Sequence, residues 1–125
     1  MRYVLALLTC VILSSSANAL SGMDLLRDCS QADEFTNSEH QSHAGVLLSF
    51  ARCLGYLEGV IDTNQLISRL KGGPPAFFCD PPNGILTEQA MLVVLKYLLD
   101  NPRQLHKSAR INVVAALRGA FPCSD

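Results

Sequence analysis

Residues 44–70 read AGVLLSFARCLGYLEGVIDTNQLISRL, and the spacing of their apolar positions sets the architecture. Val46, Leu47, Phe50, Cys53, Leu54, Leu57, Val60, Ile61 and Ile67 recur at steps of three and four. That is the period of one apolar stripe on an α-helix. The spacing predicts a helix from Ala44 to Leu70, and Gly72-Gly73-Pro74-Pro75 ends it, because neither residue type continues a helix.

On its C-terminal side, residues 71–84 carry four of the six prolines and the pair Phe77-Phe78, the composition of a stiff loop. Thr87 is expected to cap a third helix ending near Asp100, with Met91, Leu92, Leu95, Leu98 and Leu99 inward. Asn101-Pro102-Arg103-Gln104 reads as a restart, with Asn at the N-cap, Pro at the first helical position and Gln three residues on. A fourth helix comes next, with Leu105, Ala109, Val113, Leu117 and Ala120 inward, closing at Phe121-Pro122-Cys123. On the N-terminal side, a first helix is expected over Met23–Gln31, burying Leu25, Leu26 and Cys29, with Asp24 in the first turn where the dipole favours an acid. Ala32–Ser42 is polar and aperiodic and reads as an exposed loop. No segment alternates as a half-buried strand does. The expected architecture is all-α: a small four-helix bundle in one domain.

The first nineteen residues are of another kind. Arg2 precedes an apolar run from Tyr3 to Leu13, then Ser14-Ser15-Ser16 and Ala17-Asn18-Ala19. A charge, a short apolar core and an A-x-A triplet make a secretory signal peptide with cleavage after Ala19. The run is too short for a bilayer span, which needs about 20 residues. A buried first helix is the alternative, but no turn or cap joins the run to the residues after it. A lipidated Cys10 fits poorly, since it would cut the apolar core in half. The domains are therefore 1–19 (signal peptide) and 20–125 (helical domain), and the compartment is outside the cytoplasm.

Cleavage removes Cys10 and leaves Cys29, Cys53, Cys79 and Cys123. An even number in a small exported chain reads as two disulfides, with three possible pairings. Short connections make successive helices antiparallel. That brings Cys123 towards Cys79 and leaves Cys29 for Cys53, although spacing alone does not fix connectivity. No C-x-x-C occurs, so neither a redox pair nor a zinc knuckle has its spacing.

Cleavage also removes Arg2, leaving nine Lys and Arg against eleven Asp and Glu. A net charge near −2 has no footprint for nucleic acid or an anionic membrane. The charges are unevenly spread: acids dominate from Asp24 to Asp62, bases from Arg69 to Arg118. A protein partner could exploit that polarity, while a plainly solvated surface would show it too.

Catalytic chemistry finds little to stand on. His40 and His43, beside Glu39, have a metal-ligand spacing but no third ligand in view, and they read as solvated loop residues. His106 is expected in the first turn of helix four, where the dipole disfavours its charged form. The four cysteines are taken by bridges. No G-x-S-x-G, phosphate-cradling loop or paired carboxylate is present. The chain reads as a non-enzyme without cofactor or metal.

Two features ask for another explanation. Gly55 and Gly59 lie one turn apart inside a helix, where each Gly costs about 1 kcal/mol relative to Ala. Something is expected to pack close there, either helix four or a partner in a groove. Pro74-Pro75-Ala76-Phe77-Phe78 is a preordered loop, in which Phe78 plugs the bundle and Phe77 is the better anchor for a partner.

Taken together, these residues form a pattern. Cys53, Gly55, Tyr56, Leu57, Gly59, Val60 and Asp62 are followed by Phe78, Cys79 and Pro81. Gln89, Tyr97, Leu98, Pro102, His106 and Ala109 come next. Ala116, Leu117, Ala120, Phe121, Pro122 and Cys123 close it. The pattern resembles the Tai/Rap family of type VI secretion amidase immunity proteins over roughly residues 50–123. The resemblance implies a periplasmic helical protein, often a homodimer, that binds a secreted peptidoglycan amidase effector and fills its active-site cleft. Gly55, Tyr56, Gly59, Asp62, Pro81 and Pro122 are then structural positions of the motif. Ala32–Ser42 and Gly72–Pro75 lie outside it. Partner contacts are expected from the loop bearing Lys71, Pro74, Pro75 and Phe77 and from the turn bearing Asp100, Arg103 and His106. The competing expectation is a small non-enzymatic envelope stress protein or chaperone.

Overall fold

The computed structural model describes residues 19–37, 44–73 and 75–124. Most of the signal segment, His40, His43 and Pro74 lie outside the described residues. Among the described residues four α-helices occur in order: α1 (Gly22–Asn37), α2 (Ala44–Arg69), α3 (Thr87–Asp100) and α4 (Ala109–Ala120), with a 3-10 turn over Pro102–Gln104. Pairing of extended backbone among the described residues is confined to one bridge, between Ser21 and Ser108. The chain is the all-α, four-helix bundle that its periodicity predicts.

Both disulfides are formed. Cys29 is bonded to Cys53, joining α1 to α2, and Cys79 to Cys123, joining the proline-rich loop to the end of α4. This is the pairing that an antiparallel arrangement favours. The core gathers Leu25, Cys29, Cys53, Leu57, Phe78, Val94, Leu98, Val113 and Leu117, all fully buried. α1 and α2 make the most extensive pairing, α3 lies against the other three, and α3 with α4 forms the second strong pair. α2 and α4 touch least.

Several boundaries differ from expectation, each for a local reason. α1 runs six residues past Gln31, so Ala32–Asn37 is helix and not loop. Ala32 is fully buried and continues the line of Leu25 and Cys29, while Arg27 and Ser30 occupy the outer face. Thr87 does not cap α3. Leu86 holds the cap position without a side-chain bond, and the Thr87 hydroxyl reaches Glu58 on α2 instead, at 3.5 Å. Leu92 and Leu99 point outward; Ala90 and Val94 take the inner positions.

The restart at Asn101 yields only the 3-10 turn, and α4 begins eight residues later. Asn112 explains the delay. Its buried amide Nδ2 donates to the carbonyls of Gln104, Lys107 and Ser108 at 3.1, 3.4 and 3.2 Å, holding them in a separate turn. Leu105 is buried but outside the helix, His106 is exposed in that turn, and Ala120 is exposed at the end of α4. The same turn receives the N-terminal segment: Gly22 and Met23 N–H donate to the carbonyls of Lys107 and Leu105, and Ala109 N–H to that of Leu20. A Cβ on Gly22 would stand 2.6 Å from Asn112 Nδ2 and 3.1 Å from the Leu105 carbonyl, so glycine is required here.

Ser21 and Asp24 cap α1 reciprocally. Asp24 N–H donates to Ser21 Oγ (3.1 Å), while Ser21 N–H and Oγ donate to Asp24 Oδ2 at 3.2 and 2.6 Å. The Ser21 hydroxyl, with the Arg27 guanidinium as a lesser cause, holds the Asp24 carboxyl below its usual range. A depressed carboxyl pKa stabilises the fold above the unfolded value, near about 4, and that gain disappears as pH falls through the folded value. Ser21→Ala is therefore expected to lower the melting temperature by a few degrees at neutral pH. In acid the difference from the wild type should shrink, which thermal melts at pH 7 and pH 3 would measure.

The two bridges differ in access. Cys29 and Cys53 are fully buried, while Cys79 and Cys123 are exposed. Under a mild reductant, alkylation read by mass spectrometry should label Cys79 and Cys123 first. They close loops of 24 and 44 residues, and chain entropy sets the cost of losing each at about 3.5 and about 4 kcal/mol.

Candidate functional site

The site is built from a buried amide. Asn64 sits on α2 one turn after Ile61, with its side chain inside the bundle. Its Oδ1 accepts from Phe77 N–H at 2.8 Å and from Phe78 N–H at 3.4 Å, and its Nδ2 donates to the Phe78 carbonyl at 2.9 Å. One side chain thus replaces three backbone partnerships for a loop that has no helix or strand of its own. Phe78 is driven wholly into the core, and Cys79, also bonded through its N–H to the Phe121 carbonyl at 3.0 Å, is fixed to the end of α4. Phe77 is left at the surface, 47 % exposed.

There Phe77 forms one wall of a groove of about 650 Å³ between α2 and α4. α2 contributes Gly59, Val60 and Thr63. α4 contributes Arg110, Ile111, Val114, Ala115 and Arg118. The lining is almost entirely apolar, and its charged members are two arginines, spaced two turns apart on α4. Tyr56 stands near Arg110; burial pushes its phenol pKa up, with the Arg110 charge acting the other way.

The glycines differ from expectation. α4 does not pack onto Gly55 or Gly59, both of which are exposed, and a Cβ on either would meet nothing within 4 Å. The space is open, and the groove begins at Gly59. α2 buries only Cys53, Leu57, Ile61 and Asn64, whereas Leu47, a member of its apolar stripe, is exposed. By length and composition α2 would even suffice to cross a membrane, and little of it is covered by the bundle. It offers more apolar surface than the other helices can bury.

A second hollow of about 460 Å³ lies on the other side of the loop, lined by Gln65, Arg69, Asp80 and Pro81 among others. Gln65 Nε2 donates to Asp80 Oδ2 at 2.7 Å, and Asp80 Oδ1 is buried without a hydrogen-bond partner. Among the described residues no three His, Cys, Asp or Glu side chains come together to hold a metal ion.

The remaining candidate residues lie in the proline-rich loop, in the turn that precedes α4 and elsewhere on the surface. Lys71 and Pro75 are exposed in the proline-rich loop, and Phe77 alone of that set enters the groove. Asp100, Arg103 and His106 are exposed at the opposite end of α4, with Asp100 bonded to Lys96 at 2.8 Å. The two loops are thus separated by the length of α4, about 18 Å by helical rise, and the groove runs between them. Asp62 and Pro122 are exposed, and Tyr56 and Pro81 are half-buried. Spacing alone does not reveal Asn64, Gly22, Arg110, Ile111 or Arg118. A lone Asn on the apolar side of a helix is the signal available for the first.

Two disulfides tie a small core together, and an apolar groove is left uncovered between α2 and α4. The chain belongs to the Rap1a immunity protein family, whose model matches residues 21–123. No curated protein matches it. The family agrees with the resemblance carried by the Cys53–Asp62 and Phe78–Pro81 motifs.

Asn64→Ala would leave the Phe77 and Phe78 backbone groups without partners in a buried setting. A loss of about 2–3 kcal/mol is expected, measured by denaturant unfolding.

Proposed function

We propose that the chain is a periplasmic immunity protein that binds a type VI secreted peptidoglycan amidase effector and occludes its active site. Membership of the immunity family carries the reading. The protein supplies no chemistry: it excludes substrate, and a rigid scaffold lowers the ordering cost of doing so. Residues 1–19 act as the signal peptide. In support, the family match begins at residue 21, just past the expected cleavage site, and the Leu20 carbonyl already accepts from Ala109 N–H. Exposed Leu47 and Leu48 of α2, outside the groove, favour a homodimer in which two copies present the inhibiting surface together.

A second reading, a small non-enzymatic envelope stress protein or chaperone, draws on exposed Leu47, Leu48, Leu66, Leu86, Leu92 and Leu99. One experiment separates the two. Residues 20–125 are mixed with purified type VI peptidoglycan amidases, beginning with any encoded beside the gene, and release of peptide from peptidoglycan is followed. Stoichiometric inhibition, with rescue of cells that express the toxin in the periplasm, is expected. No inhibition, accompanied by suppression of client aggregation at acid pH, would establish the second reading instead.

A further inference from the structure

We infer that the α2–α4 groove, from Phe77 across Gly59 to Ile111, is where the effector docks, and that it takes an apolar ridge of the effector flanked by carboxylates. This rests on the immunity reading, and it moves the centre of contact away from the two loop tips to the helix face between them.

Three observations carry it. First, the groove is open although its makers are apolar: Ile111 is 52 % exposed, Phe77 47 % exposed, and no side chain of the described residues reaches the space above Gly55 or Gly59. Two glycines in a helix cost stability, and no internal contact requires them. Second, the groove walls are set by rigid devices: the Asn64 hydrogen bonds position Phe77, and the Cys79–Cys123 bridge ties the loop to α4. A preordered aromatic beside a concave apolar floor is what an interface anchor needs.

Third, the charges select the partner. Arg110 and Arg118 line the groove and form no ion pair with a described residue, whereas Arg27, Arg52 and Lys96 each have a carboxylate within 3.2 Å. Both lie in the half of the chain, Arg69 to Arg118, where bases dominate. Two cations about 12 Å apart along α4, by helical rise, call for acidic groups on either side of the apolar ridge. Complementary charge of this kind speeds encounter and rejects wrong partners. A second copy of this chain is a poorer occupant, because the charged residues of the groove have one sign and would face their own kind across a two-fold axis in that region.

The test uses residues 20–125 and the purified effector encoded beside the gene, with binding measured by calorimetry and oligomeric state by light scattering. Gly59→Leu fills the groove floor. Its Cβ meets no atom within 4 Å, and leucine is the better helix former, so the melting temperature should hold or rise. Its dissociation constant is expected to rise at least tenfold. Arg110→Glu with Arg118→Glu, both at solvent-exposed positions, should weaken binding at least as much and remove most of its salt dependence. Lys96→Gln, on the exposed face of α3 and off the groove, should change affinity less than threefold, while Arg103→Glu reads the contribution of the turn before α4.

If the wild-type protein binds the effector while both groove variants bind equally well, the groove assignment is overturned and the immunity reading stands. The groove assignment is equally overturned if Arg103→Glu alone abolishes binding, or if the groove variants only convert a dimer to monomer. If the wild-type protein does not bind, both readings fall together.

Discussion

One buried amide holds the arrangement together. The described residues between α2 and α3 contain no helix or strand, yet they must deliver Phe78 to the core and Cys79 to Cys123. Asn64 makes this possible by bonding the backbone of Phe77 and Phe78 on both sides. An uncompensated carbonyl or N–H at that depth would oppose the burial of Phe78. With the bonds in place, alternation along the chain sends Phe78 inward and Phe77 outward. The surface position of Phe77 is thus a consequence of core packing, and the groove inherits its rigidity from the interior.

The same bundle leaves α2 underused. A 26-residue helix is paired with neighbours of 16, 14 and 12 residues, so part of its apolar face has nothing to meet. In a protein with two disulfides, that surplus does not threaten the fold: the bridges limit the unfolded state, and the core is closed without it. On the proposed docking, stability and recognition are divided between different faces of one helix: Cys53, Leu57, Ile61 and Asn64 serve the first, and the open side at Gly59 and Thr63 serves the second.

Much of the fold is legible in the sequence. The three-and-four spacing of α2, its Gly-Gly-Pro-Pro stop and the position of α3 come from local rules, and short connections favour the observed disulfide pairing among the three possible without fixing it. The first helix reads too short because the polar residues after Gln31 hide the buried Ala32. The delayed start of α4 is invisible because Asn112, eleven residues beyond Asn101, collects the carbonyls of the intervening turn. Such side-chain to backbone bonds have no periodic signature. The two α2 glycines stand out in the sequence, but their spacing shows only that a helix face is bare, not what stands opposite. At the site, Phe77 is legible from its loop. Arg110 and Arg118 are not, since exposed arginines on an amphipathic helix look like ordinary solvated charge until the groove between them is seen.

Hydrogen–deuterium exchange of residues 20–125, alone and bound to the effector encoded beside the gene, would show whether the rigid α2–α4 groove is the docking face. New protection should appear in the segments bearing Gly59 to Thr63, Phe77, and Arg110 to Arg118, with the Asp100–His106 turn little changed. Protection confined to that turn, or to α1, with the α2–α4 groove exchanging as in the free protein, would contradict it.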